Sequence, residues 1–388
     1  MKWGDIMTGQ CRPLIEILSE IPDSRKEKGK RHPLSSILAL ACVAMMCGCK
    51  TYSAIAQWGR DYDQRFIKAL GFTHVKTPCA ATFCNVFCNI AIKIMESKLG
   101  QWATSIGADA SDQEGSQKES QEEAISIDGK TLKGSLKQGS SITHLLSAVS
   151  HKLGLTLAQC SVDKGTNEIG TIDEILKNLV LEGRIVSVDA MHTQRETSQT
   201  IVDGGGDYVM PVKDNQQRLL DDVKTVFEGS CSHLLSKSSA NTLDVGHGRI
   251  EERSLTSSDA LIGYSDWPGL HQVFKVERKF IYKRTGEVHQ ETVYGITSLT
   301  SQEADPDRLL SLIRGHWHIE NRTHWVRDVT FDEDRSQVRK GNTPEVMSAL
   351  RNTVIGLMRY AGEANIASAC RRNAAQPSKA LELIGIMV

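Results

Sequence analysis

The chain has 388 residues, a formal net charge of -1 at pH 7 and 40% hydrophobic residues. This length exceeds that of a usual single domain, so we expect one large domain with at least one smaller one. The longest apolar run, 37–49, is too short to span a bilayer, and no signal peptide opens the chain. These observations exclude an integral membrane protein, and we expect a soluble protein of the cytoplasm.

The ten cysteines lack the regular spacing of a disulfide framework. Neither Cys47 with Cys49 nor Cys84 with Cys88 forms a CxxC pair, and His74 has no partner at zinc-finger spacing. We therefore expect reduced thiols that serve as small core residues, and not a zinc site.

Positive charge is concentrated near the amino terminus. Residues 1–100 hold 14 Lys+Arg against 8 Asp+Glu, with a basic cluster at 25–31. This cluster is either an ordinary solvated loop or a patch that contacts phosphates, and the overall charge does not decide between them.

The first hundred residues show helical periodicity. Leu14, Ile15 and Leu18 recur at turn spacing, Pro33 precedes the apolar run 34–47, and further helical patterns cover 52–58 and 83–99. We predict a small all-helical domain over 1–105. The following stretch is rich in Ser, Gln, Gly and acids, which predicts a flexible acidic linker at 106–123.

Strand and helix patterns alternate after the linker. The patterns predict strands at 124–128, 142–150, 155–162, 185–189 and 208–213, and helices at 172–181, 195–202 and 216–227. An antiparallel meander followed by alternating strands and helices predicts an α/β fold with a ribonuclease H-like core over 124–360.

Strand signals return at 243–300, where residues 273–280 alternate in polarity and Gly286 lies in a turn. This predicts a β-rich insertion at about 240–300. Residues 306–328 keep helical spacing with one interior glycine, which predicts a single long helix, and 361–388 remain as a carboxy-terminal tail.

Two of the predicted strands end in an aspartate, in AISID at Asp128 and RIVSVD at Asp189. Side chains at the carboxyl ends of strands in α/β sheets converge on the crevice where chemistry is done. A strand-terminal aspartate also serves commonly as a turn or cap residue, so either position alone is weak evidence.

A third carboxylate, Glu320, lies in IRGHWHIENRTHWVRDV. On a continuous helix it would share a face with Ile313, His316, Trp317, His324 and Arg327. The alternative is a surface glutamate paired with a histidine. Asp328, Asp332 and Asp334 compete for the same role at the helix end.

Three carboxylates suit phosphodiester cleavage by two Mg²⁺ ions. One ion activates the attacking water or hydroxyl and the other stabilises the leaving oxygen. Mg²⁺ prefers oxygen ligands and keeps several waters, so a few carboxylates and the substrate phosphate complete its coordination.

Several blocks of the chain resemble bacterial insertion-sequence transposases of the DDE type, in the branch of the H-repeat-associated proteins. The resemblance covers about residues 10–360 and is carried in order by IPDSRKEKGKRHPL, ALACVAMMCGCKTYSAIAQWG, AISIDGKTLKGS, SVDAMHTQRE, VKDNQ, GHGRIEERS and GHWHIENRTHWVRDVTFDED. It implies a ribonuclease H-like core interrupted by a β-strand insertion between the second Asp and the Glu.

The resemblance also implies a catalytic and metal-binding triad of Asp128, Asp189 and Glu320, which holds two Mg²⁺ ions that Mn²⁺ can replace. The implied partners are the terminal inverted repeats of the protein's own mobile element and a target DNA, so that the protein associates with the nucleoid. A homodimer is expected because two element ends must be paired.

The broader group often shows Tyr-x2-Arg-x3-Glu-x6-Lys around the glutamate. Here those positions are Ile313, His316, Glu320 and Arg327, and only the glutamate is identical. The residues predicted to contact DNA are Lys130, Lys133, Lys213, Arg249, His316 and Arg327, with solvated or ion-paired side chains as the alternative. Trp317 and Trp325 either stack on an unpaired base or pack the helix against the core.

These observations favour a DNA transposase that cleaves strands at element ends and joins them to a target. Two alternatives stay open. One is a catalytically inactive descendant that binds DNA, and the other is a divalent-metal nuclease without strand transfer.

Overall fold

The computed structural model describes residues 12–113, 123–136, 142–162, 168–246 and 248–387. These residues form two compact units. The first unit draws on Met1–Glu119, Gly129–Asn167 and Ile319–Val388, and the second draws on Ser120–Asp128 and Glu168–His318. Among the described residues, no helix has the length and apolar character needed to cross a membrane.

The amino-terminal part of the first unit is helical, as the sequence predicted. Its centre is α2, because every residue of Leu34–Met46 except Ser35 is buried. A helix that is apolar on all sides must be surrounded by other elements. Helices of this part are α1 (Leu14–Ser19), α2 (Leu34–Met46), α3 (Tyr52–Asp61), α4 (Gln64–Ala69), α5 (Ala80–Cys88) and α6 (Ile92–Gln113).

Helix α6 continues through Gln113, beyond the start of the predicted linker at 106. Alanine at 103, 108 and 110 favours helix at these positions. The rest of the predicted linker, 114–122, lies outside the described residues.

The predicted carboxy-terminal tail is folded in the structure. It contains α13 (Ile366–Ala375) and α14 (Pro377–Leu383), which pack against α2 together with α12 (Thr343–Tyr360). The Asn373 side-chain amide donates to the carbonyl of Met46, at the end of α2. These short helices gain stability from the apolar surface of α2 and not from their own length.

The first unit also holds β2 (Thr143–Ser150), β3 (Thr156–Ser161) and the second half of β1 (Glu123–Leu132). A buried amide ties β3 to its helices. Gln159 Nε2 donates to Glu96 at 2.8 Å, and its carbonyl oxygen accepts from Ser348 and Asn352 at 3.0 and 2.8 Å.

The second unit contains a large mixed sheet with strand order β1-β4-β5-β9-β8-β7-β6. Strands β1, β4 and β5 are parallel, and the remaining neighbours are antiparallel. Its strands are β4 (Arg184–Val188), β5 (Asp207–Val212), β6 (Ser238–Gly246), β7 (Arg249–Ser258), β8 (Gln272–Tyr282) and β9 (Val288–Thr297). Its helices are α7 (Glu168–Lys177), α8 (Arg195–Asp203), α9 (Gln217–Glu228) and α10 (Pro306–His318).

Four long antiparallel strands, β6 to β9, occupy the region where the sequence predicted a β-rich insertion. Buried apolar residues such as Leu255, Phe274 and Val276 pack there with Ile185 and Val209. Gly295 permits this packing, because a Cβ at that position would lie 2.1 Å from Cζ of Phe274.

The structure is helical over the predicted range 306–328, but not as one regular α-helix. Helix α10 ends at His318, a π-helical turn covers Ile319–His324, and α11 (Trp325–Val329) follows. A π turn inserts one residue relative to an α-helix. The side chains beyond it therefore do not continue the face that a regular helix would present.

Candidate active site

Asp128 and Asp189 follow directly on paired residues of two neighbouring parallel strands. Residues 123–127 of β1 pair in register with 184–188 of β4, and the last pair is Ile127 with Val188. Neighbouring strands lie about 4.8 Å apart. Asp128 is half-buried and Asp189 is exposed. The structure thus brings two of the three predicted carboxylates together where the parallel pairing of β1 with β4 ends, although β1 continues to Leu132.

Apolar side chains fix both strands in the core. Ile125, Ile127, Val186 and Val188 are almost completely buried. Asp189 then ends β4 and caps the short 3-10 helix Ala190–His192, where its Oδ1 accepts from the Ala190 N–H at 2.7 Å. This hydrogen bond uses one carboxylate oxygen of Asp189. Asp189 can therefore serve as a turn residue and as a metal ligand at the same time.

A line of polar side chains crosses the same two strands beneath the aspartates. Ser126 Oγ and Ser187 Oγ are 3.2 Å apart, and Ser187 Oγ is 3.1 Å from Nδ1 of His316. Burial lowers the pKa of His316 to about 4, and the charge of Asp189 opposes this shift only in part. His316 is therefore neutral near pH 7, which does not fit its predicted role as a cationic DNA contact.

His192 is a second histidine near Asp189, and the sequence prediction missed it. It is buried, and burial lowers its pKa while the charge of Asp189 has the opposite effect. Its position three residues after the aspartate, within SVDAMH, was the available signal. The surroundings of Asp189 thus contain two neutral imidazoles.

Glu320 lies in the π turn of the first unit and is exposed. Single π turns inside helices are frequent at functional sites. Within the described ranges, no group of three or more His, Cys, Asp or Glu side chains is arranged to hold a metal ion. The structure therefore pairs Asp128 with Asp189, and Glu320 belongs to the other unit.

Two of the acids that competed with Glu320 are ion-paired. Asp328 accepts from Lys130 at 2.6 Å, and Asp334 accepts from Lys133 at 2.9 Å. Lys130 is buried, whereas the side chain of Lys133 is 72% exposed. For Lys130 these contacts fit the structural alternative better than the predicted DNA contact, and Lys133 stays accessible.

Arg327 is fully buried, which corrects its prediction as a DNA contact. Its guanidinium lies 2.6 Å from Glu333, and Arg351 lies 2.8 Å from the same carboxylate. The two arginines hold the pKa of Glu333 below its usual value in spite of burial. No phosphate can reach Arg327 without unfolding this cluster, so its charge serves the fold.

The other candidates are more accessible. Lys213 follows β5 and is exposed. Arg249 keeps 40% of its side-chain exposure while it pairs with Glu251 at 3.5 Å and lies over the Phe280 ring. Trp317 and Trp325 are 46% and 57% exposed, so neither is a core residue.

Comparison with known proteins identifies the class of protein that has these features. Residues 119–357 match the family model described as "Transposase DDE domain", and residues 15–103 match the one described as "DDE_Tnp_1-associated". The chain therefore belongs to the transposase DDE domain family, and the resemblance seen in the sequence is confirmed. Domains of this family act in general as nucleases and transesterases on DNA and use divalent metal ions.

Several relatives match over most of this chain. "Putative transposase YncI" of Escherichia coli O157:H7 is 29% identical over 355 residues, which cover 89% of this chain and 87% of that protein. "H repeat-associated putative transposase YhhI" of Escherichia coli (strain K12) is 29% identical over 358 residues, 90% of this chain and 91% of that protein. "Uncharacterized protein in dhlA 3'region" of Xanthobacter autotrophicus is 33% identical over 302 residues, 76% of this chain and 95% of that protein.

Proposed function

We propose that this protein is a DNA transposase that cleaves strands at the ends of its element and transfers them into target DNA. The observation that carries the proposal is the placement of Asp128 and Asp189 side by side, at the carboxyl end of the parallel pairing between β1 and β4, in a chain of the transposase DDE domain family. Carboxylates at such strand ends are where α/β proteins do their chemistry.

The catalytic core, on this proposal, is ribonuclease H-like and covers 124–360, with the insertion at about 240–300. Support comes from the strand order, because β2 and β3 form an antiparallel pair and β1, β4 and β5 are parallel. This is the meander followed by parallel strands that the sequence predicted.

Asp128, Asp189 and Glu320 would hold two Mg²⁺ ions, for which Mn²⁺ substitutes. Their exposed or half-buried carboxylates suit a cation that keeps several waters and takes its remaining ligands from substrate phosphate. When bound, the ions would activate the attacking oxygen and stabilise the leaving oxygen.

The remaining residues of the site have supporting roles. His316 and Ser187 connect α10 to β4 directly behind Asp189, so they fix the strand end that carries this carboxylate. Because His316 and His192 are neutral near pH 7, they leave the negative charge of Asp189 for a cation. Lys133, Lys213 and Arg249 are exposed enough to contact phosphates of the element ends.

The test is cleavage and joining of labelled DNA that carries the flanking element ends, with Mg²⁺, Mn²⁺ or Ca²⁺. Wild type is compared with Asp189→Asn and with the control Asp203→Asn, an exposed aspartate at the end of α8 in the same unit. We expect Mg²⁺-dependent cleavage with joined products, lost in Asp189→Asn and kept in Asp203→Asn.

The other outcomes point to the two alternatives. Cleavage without joined products would identify a divalent-metal nuclease. Binding of the ends without cleavage in any metal would identify a catalytically inactive descendant. A homodimer on paired ends predicts that both labelled ends migrate in one complex with two protein chains.

A further inference from the structure

Two arginines of the first unit lie together beside the π turn. Arg359, at the end of α12, donates through Nη2 to the backbone carbonyl of Arg322. Arg322 itself is exposed and lies two residues after Glu320. Burial, and secondly the charge of Arg322, lower the pKa of Arg359 to about 10. The two positive charges are thus close enough to repel each other.

Neither guanidinium has a carboxylate partner among the residues that the structure describes. Nη1 of Arg359 is buried and makes no hydrogen bond within those residues. By contrast, the neighbouring cations Lys130, Lys133 and Arg327 each have an acid within 3 Å. For Arg359 the lack of a partner is costly, because its charge is partly buried and no anion among the described residues compensates it.

The turn between β2 and β3 fixes the position of Arg359. A Cβ at Gly154 would lie 2.7 Å from Nη1 of Arg359, and Gly154 adopts a φ of +64°. The positive φ favours glycine there, and the absence of a side chain leaves the space that the guanidinium occupies. The same turn carries Lys152, which is exposed. The guanidinium is therefore held in place by backbone and does not extend freely into solvent.

We propose that Arg322, with the positive charge of Arg359 beside it, binds a backbone phosphate of the DNA strand next to Glu320. Guanidinium groups present paired N–H donors that match phosphate oxygens, and an anion would also relieve the repulsion between them. Phosphate contacts position a strand without reading its sequence. This inference rests on the proposed function, since it assigns the contact that holds the DNA strand next to Glu320.

A purely structural role explains only part of this arrangement. A π turn shifts the backbone hydrogen bonds, and the bond from Arg359 satisfies one carbonyl within it. That bond uses Nη2 alone. It gives no role to the exposed guanidinium of Arg322, which a phosphate would engage.

The experiment measures binding of labelled duplex DNA carrying the element ends, in Ca²⁺, as a function of salt. Arg322→Gln is the main variant, because it removes an exposed charge and keeps the backbone carbonyl that Arg359 contacts. Arg335→Gln is the matched control, since Arg335 is 86% exposed in the same unit. We expect Arg322→Gln to weaken binding roughly tenfold and to reduce the salt slope by about one, with no change in the control.

A second probe, inorganic phosphate against chloride at matched ionic strength, separates this inference from the proposed function. Phosphate should raise the unfolding midpoint of wild type and Arg335→Gln more than that of Arg322→Gln. If wild type binds DNA and Arg322→Gln binds it equally with the same slope, the phosphate site is refuted and the transposase proposal stands. If wild type fails to bind DNA but phosphate protection depends on Arg322, the site stands and the transposase proposal falls.

Discussion

Two sites, one in each unit of the molecule, show opposite uses of charged side chains. In the first unit, Arg327, Glu333 and Arg351 are almost completely buried and neutralise one another in part. In the second unit, Asp189 stays exposed, and the imidazoles beside it are held neutral. Charged side chains that are buried and ion-paired stabilise or specify the fold, whereas an exposed charged side chain at the end of a strand is available to a ligand.

The largest effect is expected from Glu333→Gln, which leaves two arginines in the core without their shared carboxylate. The free energy of unfolding should fall by about 3–5 kcal/mol. Urea unfolding followed by circular dichroism measures the change, with Asp334→Asn as control because Asp334 pairs with the exposed Lys133. A Glu333→Gln protein within about 1 kcal/mol of wild type would show that the cluster is not a structural element.

Acidic pH should also destabilise the fold through His324. Burial is the main cause that lowers the pKa of this histidine to about 3, and the charges of Arg327 and Lys130 add to it. Its folded pKa is below the unfolded value of about 6.5, so the unfolded chain binds the proton first as pH falls. Stability is complete above about pH 6.5 and should be lower by roughly 2 kcal/mol at pH 5 from this group alone. The measurement is urea unfolding at both pH values for wild type and His324→Gln, and an equal loss in the variant would assign the acid sensitivity elsewhere.

The two lysines that follow Asp128 allow a comparison between a buried and an exposed ion pair. Lys130 has 9% side-chain exposure and pairs with Asp328, whereas Lys133 is 72% exposed and pairs with Asp334. Lys130→Met should cost about 1–2 kcal/mol of stability, and Lys133→Met less than about 1 kcal/mol. Thermal unfolding of both variants tests this order. The reverse order would mean that burial of the Lys130 pair does not decide its contribution.

The smallest effect on stability is expected at the strand end. Asp189→Asn keeps an oxygen that can accept from the Ala190 N–H, so the free energy of unfolding should change by less than about 0.5 kcal/mol. The same variant should lose strand cleavage. If Asp189→Asn loses both stability and activity, the loss of activity could come from unfolding. Asp189 would then have a structural role, as the buried cluster does.

Much of the second unit could be predicted because strand patterns are local. Ile125, Ile127, Val186 and Val188 alternate with polar residues, and an aspartate follows each alternating run, so the pattern predicts both carboxylates, although β1 itself continues to Leu132. What the pattern does not contain is the pairing of β1 with β4, which brings the aspartates side by side.

The features that the sequence did not predict depend on how the elements pack and not on local periodicity. The sequence did not predict the burial of Arg327, because the buried cluster around Glu333 also needs Arg351, which lies 24 residues beyond Arg327, by subtraction of their numbers. The sequence predicted no helices for the tail at 361–388, because α13 and α14 are short and pack on α2. The π turn results from a shift in the backbone hydrogen bonds that is stabilised by packing. The periodicity of the side chains does not predict this shift.

The π turn at Ile319–His324 changes the direction, around the helix axis, in which the side chains after it point. Residues before it, such as His316, and residues after it, such as Arg327, belong to the same written motif but to different helical phases. A side chain at the seventh position after Glu320 therefore points elsewhere than a regular helix would direct it. A family motif that is defined by fixed spacing can therefore be matched in sequence although its last side chain points in another direction. Arg327 occupies the position where the motif has a basic residue, but in this fold it is a buried core residue.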